Sequence, residues 1–449
     1  MTNIVIIGGG PAGYEAALVA VAHGGDVTVI ESDGIGGACV LYDCVPSKTF
    51  IASTGIRTET RRAVDLGIEL HFERVEIDVE RINARVKDLA TAQSADIRAR
   101  LAGEGVRIIR GRATLAPTAS GMAHHEVNVV TPSGGEQSFE ADVVLVATGA
   151  SPRVLESAQP DGEKILTWRQ LYDLEELPTH LVVVGSGVTG AEFVHAYTEL
   201  GIKVTLVSSR DRVLPHEDED AALVLEDALL DRGVSLVKRA YADKVERTES
   251  GVVVRLTDGR TVEGSHCLMT VGSIPNTADI GLEDVGIELN KGGYIPVDRV
   301  SRTKVPGIYA AGDCTGVLPL ASVAAMQGRV AMYHALGEGV SPVKLKTVSS
   351  AIFTRPEIAT VGVSQAAIDD GTYQARTDSM TRSITSSIPS SSVFSSAAMA
   401  ASWALRSARR WFKGSRCRKR VSCKSMSIVP CIANGFLQSH AVGAATTPG

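Results

Sequence analysis

The chain has 449 residues, 44% of them hydrophobic but only 4% aromatic, with 44 glycines and a formal net charge of −6. That length is too great for one small core and predicts two to four domains. The charge gives no support for a nucleic-acid binder, no apolar run reaches membrane-spanning length, and the opening MTNIVIIGGG lacks the basic leader and cleavage site of a secreted protein. A cytoplasmic setting is expected, where a close cysteine pair is more often catalytic or metal-binding than structural.

The first predicted element is a short apolar strand, NIVIIG, which runs into Gly8-Gly9-Gly10-Pro11-Ala12-Gly13. A helix (YEAALVAVAH) and a second strand (DVTVIE) follow, the latter ending at Glu31, 18 residues after Gly13. Each glycine has a physical role: the tight turn at Gly8, approach of backbone to a pyrophosphate at Gly10, and close helix–strand packing at Gly13. The helix N-terminus adds positive potential for phosphates, and Glu31 stands where a carboxylate would hold a ribose hydroxyl. The stretch VERINARVKDLATAQSADIRARL then reads as a long amphipathic helix. HEVNVVTPSG and SFEADVVLVATGA read as strands, the second ending at Ala147-Thr148-Gly149.

The same grammar recurs in HLVVVG, Gly185-Ser186-Gly187-Val188-Thr189-Gly190, the helix AEFVHAYTEL and the strand KVTLVSS. Here the position 18 residues after the last glycine is Ser208, with Arg210 close by. A missing acid removes repulsion of a 2′-phosphate and an arginine can pair with one, which leans this site toward NADPH over NADH. Two such motifs in one chain suggest FAD on one and a nicotinamide nucleotide on the other. GVVVRLTDGRTVEGSHCLMTVG reads as a hairpin and strand, and GIYAAGDCTG as a strand ending in a Gly-Asp pair. Asp313 there is equally suited to a ribityl or ribose hydroxyl and to a helix cap.

Cys39 and Cys44 stand five residues apart in GIGGACVLYDCVPSKT. A disulfide needs Cα atoms within about 4.4–6.8 Å, whereas five residues of ideal helix rise about 7.5 Å and turn the side chains apart. Bridging therefore requires an irregular turn, with the helix proper starting near Cys44. Pro46 suits that first turn. Lys48 falls on the same face as Cys44, where its charge and the helix dipole would favour a thiolate. Zinc would need two further ligands, and Cys267 and Cys314 are single and far apart, so no metal is expected. A redox disulfide or two inert thiols remain, and a disulfide beside a flavin lets two electrons leave as a dithiol.

In order, the chain carries GGGPAG, GG-x-C-x4-C-x-PSK, ATG, GSGVTGAE, GSIPNT, YAAGDC and FTRPEIATVG. Over about residues 1 to 365 this resembles the pyridine-nucleotide–disulfide oxidoreductases, which include dihydrolipoamide dehydrogenase and glutathione reductase. The resemblance implies an α/β chain of two doubly wound Rossmann-like domains and a dimerisation domain. It places the first part of an FAD domain at 1–150, an NAD(P) domain at 151–275, the second FAD part at 276–345 and the start of a dimerisation domain at 346–371. It gives FAD to Gly8, Gly10, Pro11, Ala12, Gly13 and Glu31, with Ala113 near the adenine. Thr148, Gly149 and Ala321 would lie beside the flavin and Asp313 on its ribityl chain. Gly185, Gly187, Gly190, Ser208, Arg210 and Gly272 would serve NADPH or NADH. It implies a Lys48–Glu192 pair near the flavin, Cys44 facing the flavin, Cys39 as the exchange thiol, and an activity most like dihydrolipoamide dehydrogenase on a small disulfide, with an NAD(P)H:quinone reductase as the alternative and a catalytically impaired dinucleotide-binding protein as the second.

Two departures stand out. Asp43 and Val40-Leu41-Tyr42 replace the usual leucine, asparagine and glycine between the cysteines, and Asp43 beside Cys44 would raise its thiol pKa. Beyond Thr372 the chain changes character. Eleven Lys/Arg and the single acid Asp378 give it +10, against −16 for residues 1–371. Serine runs, Cys417, Cys423 and Cys431 and a lone His440 replace the family's closing His-Pro and Glu. An out-of-frame read after about residue 371 is the leading expectation, ahead of a natural disordered extension and a divergent interface domain. A homodimer, normal for the family, is then doubtful.

Overall fold

The computed structural model describes residues 1–68, 76–117 and 124–372. The expectations for the basic tail lie outside the described residues.

Two five-stranded parallel sheets dominate. In the first, the strands run Ile308–Ala310, Val143–Val146, Asn3–Ile7, Asp26–Glu31 and Arg107–Arg110 across the sheet. In the second, the order is Ser235–Val237, Lys203–Val207, His180–Val184, His266–Met269 and Ile165–Thr167. The strands are near-continuous Val/Ile/Leu because helices or other layers cover both faces. Ile4, Val5, Ile6 and Ile7 are all nearly fully buried, as are Leu181, Val182, Val183 and Val184.

The helices follow from equally local signals. Helix α1 (Pro11–Ala22) starts on a proline, whose missing N–H costs nothing in the first turn. Helix α2 (Gly37–Leu41) and helix α3 (Cys44–Asp65) are separated by Tyr42 and Asp43 alone. Helix α4 (Val79–Gly103) is capped by Asp78, whose carboxylate accepts the Arg81 N–H at 2.9 Å. Helix α5 (Val188–Glu199) follows the second glycine loop, helix α6 (Glu219–Asp231) precedes Ser235–Val237, and helix α7 (Ala321–Ala335) lies against α1. A Cβ on Gly328 of α7 would sit 2.1 Å from the Ala12 carbonyl oxygen, so α1 and α7 meet backbone to backbone.

In each sheet the glycine-loop strand is flanked on one side by the next strand in sequence and on the other by a much later one. That is the switch point of a doubly wound sheet, and a crevice opens at the carboxyl ends of the strands there. A short antiparallel pair, Ala150–Pro152 with Ser273–Pro275, ties the two sheet regions together. A three-stranded meander accompanies each sheet, built from Arg112–Leu115, His125–Val130 and Glu136–Ala141 in one case and Ala242–Arg247, Val252–Leu256 and Thr261–Gly264 in the other.

SFEADVVLVATGA is not one strand. The chain breaks at Asp142, where Glu136–Ala141 leaves the meander and Val143–Val146 enters the parallel sheet. The break is fixed by the Asp142 N–H, which donates to the Asn3 carbonyl at 2.9 Å. The FTRPEIATVG stretch supplies the turn and second strand of a hairpin, Ile358–Val361 pairing with Ser349–Ile352 before it. Among the described residues no helix is long and apolar enough to cross a membrane.

Candidate active site

The two glycine loops are built alike. Gly8 (φ +107°) and Gly185 (φ +114°) hold a backbone turn that side chains rarely adopt, and a Cβ would strike the carbonyls of Ala147 and Thr270 at 2.2 and 2.3 Å. Gly13 and Gly190 leave no room either, since a Cβ would lie 1.9 and 2.0 Å from the carbonyls of Gly8 and Gly185. Gly10 and Gly187 differ: each caps a helix with no side-chain hydrogen bond, and a Cβ would meet only the Gly37 Cα at 3.9 Å in the first case and open space in the second. Pro11 and Ala12 continue from the first cap into α1. Two bare helix N-termini at two sheet switch points are fitted to phosphate.

Glu31 ends its strand with both carboxylate oxygens occupied, accepting the N–H of Gly9 at 2.6 Å and of Asp33 at 2.7 Å. Ser208 takes the corresponding place in the second unit. It is buried, its hydroxyl lies 2.7 Å from that of Ser186, and it accepts the Arg210 N–H at 3.1 Å. The Arg210 side chain is exposed beside it.

Around the first crevice, Thr148 and Gly149 are held by Asn276, whose side-chain amide donates to the Thr148 carbonyl at 2.9 Å and whose N–H donates to that of Gly149 at 3.0 Å. The Gly272 carbonyl accepts the Arg153 N–H at 2.9 Å. Asp313 follows the strand Ile308–Ala310, beside Gly312, whose N–H donates to Gln327 Oε1 at 2.9 Å. Burial, with help from the charge of Asp43, pushes the Asp313 carboxyl up to about 6. Ala321 is the first residue of α7. Ala113 is buried in the meander, opposite Val129.

Cys39 lies in α2 and Cys44 is the first residue of α3, so the helix does restart at the second cysteine. Both are half-buried free cysteines. The hydrogen-bonding contact with Cys39 is the main influence that pushes the Cys44 thiol well above its usual range, followed by burial and the charge of Asp43. The helix dipole and Lys48 were expected to favour a thiolate here. They are outweighed, and the reading of Asp43 as a repelling charge agrees with the geometry.

Lys48 Nζ pairs with Glu192 Oε2 at 2.9 Å, the two side chains being 22% and 3% exposed. The other Glu192 oxygen accepts the Phe353 N–H at 3.0 Å, and the Phe353 ring lies 5.2 Å from Lys48 Nζ. Burial pulls the Lys48 ammonium down, but Glu192, Cys44 and Asp43 together leave it above its ordinary value. Lys48 belongs to the cysteine helix and Glu192 to the helix of the second glycine loop, so this one pair joins the two nucleotide crevices.

The model of the pyridine nucleotide-disulphide oxidoreductases matches residues 2–328. The chain belongs to that family. It is a pyridine nucleotide-dependent flavoprotein oxidoreductase that uses FAD and NAD(P)H. Over 380 residues it is 66% identical to an NAD(P)H dehydrogenase (quinone) of Mycobacterium tuberculosis, covering 84% of this chain and 77% of that protein. A dihydrolipoyl dehydrogenase of Bacillus subtilis is 31% identical over 364 residues, 81% of this chain and 78% of its own. The crystal structure of LpdA from M. tuberculosis superposes with a TM-score of 0.80 at 65% identity, over 84% of this chain and 81% of that one. The HOCl-induced flavoprotein disulfide reductase RclA of Escherichia coli gives a TM-score of 0.70 at 25% identity, over 82% and 79%.

For this oxidoreductase the crevice residues fit a flavin dinucleotide. Gly10 leaves its helix end bare of any side-chain cap, and Asp313 is a partly buried carboxyl to which no described residue gives a hydrogen bond or ion pair, as a group awaiting hydroxyls would be. This gives a test with opposite signs. An acid raised to about 6 costs stability increasingly as pH climbs from its unfolded value near 4. Asp313→Asn therefore raises the melting temperature of flavin-free protein at pH 7.5, while the variant retains less FAD through gel filtration than the unaltered chain.

Sequence reading missed several contributors. Tyr42 donates its hydroxyl to Asp33 at 2.8 Å, and Arg169 pairs with Asp33 at 3.2 Å while lying 4.2 Å from the Tyr42 ring. This knot anchors the cysteine turn to the end of the Glu31 strand. Asn276 was visible only as part of the quoted GSIPNT motif, and Phe353 only as part of FTRPEIATVG.

Proposed function

We propose that the chain oxidises NADPH, and NADH less well, and delivers the electrons to a quinone, with the Cys39–Cys44 pair as an internal two-electron store. The observation that carries this reading is the half-buried Lys48–Glu192 pair, which sets a cation from the flavin side against a carboxylate from the nicotinamide side. A flavin bound in the first crevice supplies the exchange between two-electron hydride and one-electron chemistry. The protein's own groups do the rest. The glycine-capped ends of α1 and α5 bind the two pyrophosphates, and Glu31 and Asp313 bind ribose and ribityl hydroxyls. Lys48 holds positive charge where reduction adds negative charge. The quinone is favoured because the 66%-identical relative is named for one. A small disulfide is the second acceptor, supported by the facing thiols and by the dihydrolipoyl dehydrogenase relatives. A reducing cytoplasm suits a pair reopened in every cycle.

The preference for NADPH rests on Ser208, which puts a small hydroxyl where Glu31 puts a carboxylate, and on Arg210 beside it. Steady-state oxidation with a benzoquinone acceptor tests it. Arg210→Ala should cut kcat/KM for NADPH about tenfold, the scale of one charge-assisted phosphate contact, and leave NADH unchanged. Equal losses for both nucleotides, or faster turnover of NADH by the unaltered chain, would remove the 2′-phosphate contact from the account.

A further inference from the structure

We propose that Arg239 is a second arginine of the nicotinamide-nucleotide crevice, taking the 2′-phosphate of NADPH together with Arg210 and so setting the choice between NADPH and NADH. The inference deepens the NADPH preference read from Ser208 and Arg210 and rests on it.

The place follows from the edge of the second sheet. Lys203–Val207 lies beside Ser235–Val237 in parallel register, with Val207 opposite Val237. At their carboxyl ends the backbone steps outward from the glycine loop. The Gly185 N–H donates to the Val207 carbonyl at 2.9 Å, and the Ser208 N–H to the Val237 carbonyl at 2.8 Å. The two segments then stay together, because the Ala240 N–H donates to the Ser208 carbonyl at 2.9 Å and the Arg239 N–H to the Arg210 carbonyl at 3.2 Å. Arg239 thus stands beside Arg210 at the end of the sheet where a doubly wound fold receives its ligand. Spacing from the glycines does not find it, since it arrives on the next strand.

Four cations stand in these two turns, and two of them are committed elsewhere. Lys238 pairs with the buried Glu226 carboxylate of α6. Arg212 lies 3.4 Å from Glu219 and donates to the carbonyls of Pro215 and Glu217 at 3.5 Å. Arg210 and Arg239 both reach the surface. Arg239 Nε pairs with Asp211 Oδ1 at 2.6 Å, the two side chains being 76% and 71% exposed. A pair so exposed is weak and exchanges readily with solvent and salt. It also occupies Nε alone, and the guanidinium keeps its Nη donors for the paired bonds that arginine makes to phosphate. Arg239 holds φ +53°, a left-handed turn uncommon for any residue but glycine. Backbone held in that region collects at ligand clamps. With Ser208 small and buried between the turns, two guanidinium groups against one carboxylate suit an added phosphate, whereas a plain 2′-hydroxyl gains little from them.

Steady-state oxidation of NADPH and of NADH by the holoenzyme, with a benzoquinone acceptor, gives the ratio of the two kcat/KM values. Arg239→Ala should lower that ratio about tenfold, the scale of one charge-assisted phosphate contact. Competitive inhibition by adenosine 2′,5′-bisphosphate should weaken by about the same factor, and inhibition by 5′-AMP should not. Arg247→Ala removes another exposed arginine of the same sheet region, one held by Asp161 and Glu163, and should leave the ratio as it was. An unchanged ratio in Arg239→Ala, a loss shared equally by NADH, or an equal fall in Arg247→Ala, which would assign the effect to overall charge, overturns the inference. Any of these leaves the NADPH reading standing so long as Arg210→Ala still lowers the ratio. If neither Arg210→Ala nor Arg239→Ala moves it, that reading falls as well, a result distinct from the others.

Discussion

Cys44→Ser should abolish turnover of lipoamide while quinone reduction continues close to the unaltered rate. An external disulfide can be reduced only by thiol exchange, which needs two sulfurs, one to attack and one to resolve the mixed disulfide. Removing a member of such a unit costs on the order of 10³-fold or more. A quinone needs no covalent partner. Cys44 is the first residue of α3 and stands against Cys39, and serine is near-isosteric, so the crevice should survive. Lipoamide turnover that persists in the variant would refute the exchange mechanism, and quinone turnover lost with it would make the pair obligatory for both acceptors.

Glu192→Ala should destabilise the fold by about 3–5 kcal/mol, the cost of leaving a buried charge without its partner. Its carboxylate takes both the Lys48 ammonium and the Phe353 N–H and is 3% exposed, so the substitution strands two donors. A urea midpoint at constant slope reads the loss. The pH dependence has a definite sign. Lys48 is raised in the folded protein despite its burial, by Glu192 first among its neighbours. Its contribution is therefore fully present below the unfolded lysine value near 10.4 and fades only as pH rises through the higher folded value. The gap between variant and unaltered chain should be constant from pH 6 to 9 and narrow in strong alkali. Replacing both partners by apolar residues, Lys48→Met with Glu192→Leu, should recover most of the stability but not the rate of flavin reduction by NADPH. Recovery of both would reduce the pair to a packing device.

How much of this could be read from residues alone differs by feature. The two glycine loops were legible because backbone sterics admit almost nothing else: a Cβ on Gly13 or Gly190 has no place to go. The restart of the helix at Cys44 was legible because five residues of regular helix cannot bring two sulfurs together. The split of SFEADVVLVATGA was not, since a continuous run of strand formers does not record that the chain changes sheets at Asp142. The Cys44 thiol was half legible. Asp43 gave the right direction, whereas the dipole and Lys48 gave the wrong one, because the contact with Cys39 and the burial that outweigh them have no signature in the local sequence. The Tyr42–Asp33–Arg169 knot joins residues up to 136 positions apart and had no local signature.

The central claim is that one bound flavin lies between a nicotinamide site and a redox sulfur pair. Anaerobic titration of the oxidised holoenzyme with NADPH, followed by absorbance and by alkylation of acid-quenched samples, tests it most directly. The account predicts that the first equivalent exposes Cys39 and Cys44 to alkylation and that the next bleaches the flavin. A yellow protein that never bleaches, or a colourless one that takes up no FAD, would contradict it.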